Sequence, residues 1–284
     1  MKKVIFTLNL TTGVGEANID VYEGEGLSIV GLCGSGKSKL LRNIAKKAKG
    51  ITYRGISGGL QKSEQDLFDL EIGYVSVDGA LRKQCVKDVL ERASVFYDML
   101  ISEVSAVMDI PEKYYIRTVG ELPSFLQARL ALLDTMSVGH SVILIDDVFG
   151  LDGKVKESIS EFLVKAGKKP LTYIIATSDL RFASICAKSL IIDCGRVVEW
   201  GRTARVLKSP VHPFAKWFVD MSVKGKTGIS WRRCAGKLKR RACRYALICP
   251  EASADCLKEY SPFAPYTRTE YTSCHLAELK KDKE

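Results

Sequence analysis

No apolar run in the sequence approaches the roughly 18–20 residues needed to span a bilayer, which excludes a transmembrane helix as the organising element. The first residues, Met1-Lys2-Lys3 and then Val4-Ile5-Phe6-Thr7, are broken by polar residues too soon to form the apolar region of a signal peptide. The expected location is therefore cytoplasmic, with any membrane link indirect. Internal repeats and low-complexity segments are also missing, so repeat architectures are excluded. Nor do the basic residues lie on a helix with interleaved aromatics, which removes the main argument for nucleic acid as a partner.

What is present suits one large α/β domain with a smaller appendage. The chain has 284 residues, 46% hydrophobic and 27% charged, enough for a substantial core. Its formal charge of +10 is uneven: Lys224, Lys226, Arg232, Arg233, Lys237, Lys239, Arg240, Arg241 and Arg244 follow one another closely. Such a run could meet nucleic acid, anionic headgroups or an acidic partner, or simply be a solvated linker. The nine cysteines do not read as a disulfide framework in a cytoplasmic chain. Five of them, Cys234, Cys243, Cys249, Cys256 and Cys274, crowd into the last fifth. Cys33, Cys85, Cys186 and Cys194 read as small buried residues.

Composition shifts near residue 222, dividing the chain into residues 1–221 and 222–284. Before the shift, β-branched runs alternate with amphipathic stretches. Strands are expected over Val4–Leu8, Ala17–Val21, Leu27–Val30, Ile72–Val75, Val142–Ile145, Tyr173–Ala176, Ser189–Ile192 and Arg196–Glu199. Helices are expected over Lys37–Lys47, Val86–Leu100, Ser124–Met136, Val155–Lys165 and Pro213–Met221. The alternation indicates a largely parallel sheet covered on both faces. Cys194-Gly195 between the last two strands reads as a hairpin turn.

Gly31-Leu32-Cys33-Gly34-Ser35-Gly36-Lys37-Ser38 fits the P-loop pattern without a gap, after the apolar run Leu27–Val30 and before a helix. Its glycines let successive backbone N–H groups converge on phosphates, and the helix N-terminus adds its positive end. Lys37 is placed to reach the β- and γ-phosphates, and the Ser38 hydroxyl to ligate Mg²⁺. A second apolar strand, Ser141–Ile145, ends in Asp146-Asp147. Asp146 is the expected Mg²⁺ carboxylate and Asp147 the group that orients the attacking water. The pair could also be turn chemistry, but its spacing of about a hundred residues from the P-loop favours function. Adenine is expected to stack on Phe6, with Tyr22 as the other candidate; either could instead be a core aromatic. No Asn-Lys-x-Asp guanine motif is present.

On these motifs the chain resembles ABC (ATP-binding cassette) ATPases. Ile191–Gly201 resembles the hairpin after the family's last core strand. Ser209-Pro210-Val211-His212-Pro213-Phe214 resembles the Pro-x-His-Pro-Tyr segment of oligopeptide, dipeptide and nickel importer ATPases. The tail, Cys243-x5-Cys249-Pro250-x5-Cys256 with Cys274-His275, is similar to that subfamily's cysteine pattern. The resemblance implies a P-loop ABC-type nucleotide-binding domain over 1–221, with a helical subdomain at about 76–135. It implies a small Cys-rich C-terminal domain over 222–284, where Cys243, Cys249, Cys256 and Cys274 hold a 4Fe-4S cluster. Four thiolates on a loop-rich segment also suit zinc, or remain free. The implied partners are a second ABC ATPase subunit forming a heterodimer, two transmembrane permeases, and an extracytoplasmic substrate-binding protein reached through them. No nucleic acid is expected. The implied place is the cytoplasmic face of the cell membrane.

Several family motifs are altered. The Leu-Ser-Gly-Gly-Gln signature aligns with Leu122-Pro123-Ser124-Phe125-Leu126, anchored by Arg129. Phe125 is bulky where backbone must approach a phosphate, and Pro123 lacks an N–H. Ser57-Gly58-Gly59-Leu60-Gln61 matches the signature in letters but lies too early, and reads as a flexible loop. Val77 stands where a glutamine is expected. Asp147 replaces the catalytic glutamate and is one methylene shorter; a retreat of about 1 Å can cost on the order of a hundredfold in rate. Ser178 replaces the switch histidine, and the loop carrying Asp152 is one residue short. Val77, Ala80, Leu81 and Val86 could form an apolar landing site for a permease helix, or belong to the core. The expectation is an ATP–Mg²⁺-binding subunit of a peptide-type or nickel-type importer with weak hydrolysis. The alternative is an ATP-binding, cluster-bearing regulatory or scaffold protein that does not power transport.

Overall fold

A computed structural model describes residues 4–12, 15–45, 51–53, 56–61, 72–75, 79–146, 171–224, 242–261, 263–267 and 270–275. Twelve strands among these residues form two sheets. The strands are β1 (Val4–Thr12), β2 (Gly15–Tyr22), β3 (Gly26–Val30), β4 (Ile51–Tyr53), β5 (Ile56–Gln61), β6 (Ile72–Tyr74), β7 (Val142–Asp146), β8 (Thr172–Thr177), β9 (Lys188–Asp193), β10 (Arg196–Arg202), β11 (Ala264–Thr267) and β12 (Glu270–Thr272). The smaller sheet, in the order β2-β1-β5-β4, is antiparallel throughout. The larger runs β11-β12-β10-β9-β3-β8-β7-β6 and is parallel from β9 to β6.

The helices are α1 (Lys37–Ala45), α2 (Gly79–Arg82), α3 (Val86–Tyr97), α4 (Ile101–Val107), α5 (Ser124–Met136), α6 (Leu180–Ala183), α7 (Thr203–Lys208), α8 (Pro213–Lys224) and α9 (Ala254–Lys258). None among the described residues is long and apolar enough to cross a membrane. Strands β3, β7 and β8 are buried along their whole length, as the uninterrupted apolar runs require of parallel strands covered on both faces. Three apolar clusters result. One joins α3, α4 and α5 to one face of the sheet, one packs α1 on the other face, and one gathers Val30, Phe214, Phe218 and Tyr245 beneath α8.

Five expectations change. Residues 57–61 are strand rather than flexible loop: they lie in β5, with Gly58 opposite Leu10 and Gly59 opposite Asn9. Glycines there leave every backbone group free to pair while adding no side-chain bulk. The single helix expected over Val86–Leu100 is two. Asp98 takes the left-handed conformation (φ 55°), its N–H bonds the Ser94 carbonyl, and α3 ends. The Glu103 carboxylate then accepts from the Leu100 N–H at 2.8 Å and opens α4. Of the four isolated cysteines only Cys186 is buried; Cys33 is exposed, and Cys85 and Cys194 are half-buried. Leu81 and Val86 belong to the core and Ala80 is exposed, so these three form no apolar landing site. The tail, expected as a small domain of its own, adds β11 and β12 to the edge of the main sheet, β12 pairing with β10. The expected helix Val155–Lys165 and the Asp152 loop lie outside the described residues.

Candidate functional site

Strand β3 ends at the centre of the large sheet, and residues 31–36 turn from it into α1. Gly34 and Gly36 have φ values of +75° and +106°, in the left-handed range that favours glycine. Gly31 is required for a different reason. A Cβ there would lie 2.2 Å from the Ile192 carbonyl oxygen and 2.8 Å from Ser35 Oγ. Buried Lys37 folds over this loop, its Nζ donating to the Gly31 carbonyl (2.8 Å), the Leu32 carbonyl (2.9 Å) and Ser178 Oγ (3.1 Å). Ser178, expected at the switch position, therefore touches the P-loop lysine from the end of β8. The Ser35 hydroxyl is buried with no hydrogen-bond partner among the described residues. A buried orphan hydroxyl, an ammonium folded across the loop and a left-handed glycine backbone together fit an anionic phosphate group.

The metal side is equally compact. Ser38 Oγ donates to Asp146 Oδ1 at 3.0 Å, joining the two residues expected to ligate Mg²⁺. Tyr74 donates its hydroxyl to the other carboxylate oxygen at 3.1 Å. Burial, and then the adjacent Asp146 charge, push the Tyr74 phenol up to about 12, so it remains a donor at neutral pH. This third residue was not anticipated. Its one signal was the strand expected over Ile72–Val75, and nothing local announces that a phenol there reaches residue 146.

The other expected positions are dispersed. Asp147 and Val77 lie outside the described residues, as does the side chain of Phe6 on β1. The Tyr22 ring carries Lys188 Nζ at 4.2 Å from its centroid. The altered signature segment is well defined. Pro123 precedes the first turn of α5, Phe125 is 44% exposed, and the Arg129 guanidinium lies 5.3 Å from its ring centroid. Arg129 itself is buried and ion-paired with Asp109 at 3.1 Å, and Gln127 donates to the Leu122 carbonyl at 2.7 Å. An aromatic side chain thus stands at the helix end where glycine was expected.

The tail cysteines converge elsewhere. Cys243, Cys249, Cys256 and Cys274 line one small cavity together with His212 and Tyr245. Burial pushes the Cys243 thiol up to about 11 and also raises that of Cys249. Among the described residues no three His, Cys, Asp or Glu side chains are grouped to hold a metal ion. The four residues expected to hold a 4Fe-4S cluster therefore share one cavity, with no grouping for a single metal ion among the described residues.

The Ser209–Phe214 segment, expected as a subfamily mark, has a structural task. Fully buried Glu199 accepts from the N–H groups of Val211 (2.9 Å) and His212 (2.9 Å) and pairs with Arg205 at 3.0 Å. His212 Nδ1 accepts from the Phe214 N–H at 3.0 Å, opening α8.

Comparison with known proteins agrees with this geometry. Residues 14–150 match the family model described as ABC transporter. The sulfate/thiosulfate import ATP-binding protein CysA of Thermosynechococcus vestitus is 27% identical over 220 residues, 72% of this chain and 64% of that protein. The methionine import ATP-binding protein MetN of Carboxydothermus hydrogenoformans is 26% identical over 235 residues, 73% of this chain and 66% of that one. The chain thus spans somewhat less than two thirds of these relatives' length. Among solved structures, the ADP conformation of MJ1267, an ATP-binding cassette of an ABC transporter, gives a TM-score of 0.54 at 16% identity, covering 76% of this chain and 99% of that one. The cbiO1 structure from Clostridium perfringens, part of the ABC transporter complex cbiONQ, gives 0.51 at 20% identity, covering 78% and 96%. The fold is that of these ATP-binding cassettes.

Proposed function

We propose that the chain is the ATP-binding subunit of an ABC importer, holding ATP–Mg²⁺ at residues 31–38 and hydrolysing it slowly. The observation that carries the reading is the joint placement of Lys37, Ser38 and Asp146, with Ser38 and Asp146 in direct hydrogen bond. Lys37 would exchange its carbonyl partners for the β- and γ-phosphates, and Ser38 and Asp146 would hold the metal. Bound Mg²⁺ neutralises charge on the phosphates. Gly34, Gly36 and the free end of α1 orient the phosphate chain, and Tyr74 fixes the Asp146 carboxylate. Slow turnover is read from the residues around that cradle. Ser178 contacts Lys37 but carries no switchable charge, Asp147 is short, and Phe125 faces outward where a partner's phosphate would be gripped.

The finer assignment, to a peptide- or nickel-type importer working as a heterodimer with a second ATPase, rests on Ser209–Phe214 and the tail cysteines. The relatives named above import sulfate, thiosulfate and methionine, so this assignment stands on those residues alone. In a 4Fe-4S cluster each thiolate binds a different iron, which spaces the sulfurs wider than the ligands of one ion. Four thiols on one cavity without single-ion spacing are compatible with that arrangement. Iron and sulfide analysis of anaerobically purified protein tests it.

Affinity capture from membranes tests the importer reading. Recovery of two permeases and a second ATPase chain with the subunit is expected. A chain recovered alone would favour a regulatory protein that binds ATP without powering transport.

A further inference from the structure

The cysteine-lined cavity and the P-loop are joined by a short, unbroken series of contacts. The Tyr245 hydroxyl donates to Asp193 Oδ2 at 2.6 Å, and the Arg244 guanidinium lies 3.4 Å from the same oxygen. Asp193 is the last residue of β9 and is buried. The next two residues, Cys194 and Gly195, are both left-handed, with φ of 45° and 77°. Cys194 is not a glycine, so this turn is held by its surroundings rather than by local preference. From it the Gly195 N–H donates to the Ser35 carbonyl at 2.8 Å. One residue before Asp193, the Ile192 carbonyl closes on Gly31 so tightly that no side chain fits. The same turn therefore clasps the P-loop at both its start and its middle.

The tail end of the series is equally fixed. Tyr245 is buried, stacks on Phe214 at 5.0 Å and meets His212 edge-on at 5.3 Å. It packs in one apolar cluster with Val30, the residue that enters the P-loop. Its backbone carbonyl accepts from the Cys249 N–H at 2.8 Å, and the Cys243 N–H donates to the Cys256 carbonyl at 2.8 Å. Cys249 is thus bonded to the backbone of the residue that grips Asp193, and Cys243, two residues before that residue, is tied to Cys256.

We propose that Tyr245 and Arg244 are positioning residues for the nucleotide site, acting through Asp193 and the Cys194-Gly195 turn. The state of the cysteine cavity and the affinity for ATP–Mg²⁺ are then linked, each altering the other by the same free energy. This rests on the P-loop reading above and adds to it a route of control. Any chemistry that reshapes residues 243–249, such as metal loading or thiol modification, would be felt at Ser35 and Gly31.

The test is ATP–Mg²⁺ affinity in the full chain by titration calorimetry, for wild type, Tyr245→Phe, Asp193→Ala and Tyr173→Phe. Tyr173→Phe is the matched control, because it removes a phenol bonded at 3.2 Å to the Ile185 carbonyl and remote from the turn. Tyr245→Phe and Asp193→Ala are expected to weaken binding about tenfold, and Tyr173→Phe less than about twofold. Equal affinities across the series, or an equal loss in the control, would overturn the proposal. Hydrogen exchange in unaltered protein gives a second reading that needs no variant to fold. Adding ATP–Mg²⁺ should slow exchange over residues 243–249, and unchanged exchange there would also overturn it. Wild type that fails to bind ATP would sink the P-loop reading itself, a distinct outcome.

Discussion

At the scale of single residues the site divides its labour between charge and geometry. Lys37 holds its ammonium on backbone carbonyls, so replacing it with alanine removes a charge-assisted partner while leaving the loop's glycines in place. Lys37→Ala is expected to weaken ATP binding by about 10- to 100-fold, on the order of 1.5–3 kcal/mol, measured by calorimetry. Tyr74→Phe is a subtler change. It frees one Asp146 oxygen, and the Mg²⁺ concentration needed for half-maximal nucleotide binding should rise a few-fold with Mg²⁺-free binding unaltered. The residues of the P-loop were legible because they are consecutive and each has a stated backbone reason. Tyr74, Ser178 against Lys37, and the Gly195 link to Ser35 were not, because each contact joins strands that only the sheet order makes neighbours.

At the scale of elements, buried charge and capping decide the outcome. Glu199 satisfies two amides and Arg205 inside the core, so Glu199→Ala would leave the Val211 and His212 amides buried and unpaired and Arg205 with Glu270 alone of its two carboxylates. A loss of about 3 kcal/mol in unfolding free energy is expected, read by urea titration. His212 is a second element-level test. Burial, and then the Lys216 charge, hold its ring down to about 3, against the ordinary 6.5 of an exposed imidazole. The unfolded chain therefore takes up a proton that the folded chain refuses as pH falls from 6.5 toward 3, and stability is lost in that window. Between pH 7 and pH 5 this residue should contribute a loss of roughly 2 kcal/mol, absent in His212→Asn. The buried parallel strands were visible as continuous apolar runs. The division of one helix at Asp98 was not, because a left-handed aspartate leaves no mark in an apolar pattern.

At the scale of the whole molecule, the tail is part of the larger sheet rather than a pendant to it. Composition marks a boundary near residue 222, yet β12 pairs with β10 and Arg205 bridges Glu199 to Glu270 across it, at 3.0 and 2.7 Å. Sequence composition reports local character, whereas sheet extension depends on a partner strand some seventy residues earlier. The cradle for a nucleotide is built into the middle of this assembly, and the substituted positions surround it. ATP binding and phosphate release by the purified full chain, with Lys37→Ala in parallel, measure both properties at once. Saturable, Mg²⁺-dependent binding that Lys37→Ala weakens by about 10- to 100-fold, with phosphate release well below about one per second, is the predicted result. Absence of binding, or Lys37-dependent release at about one per second or faster, would contradict it.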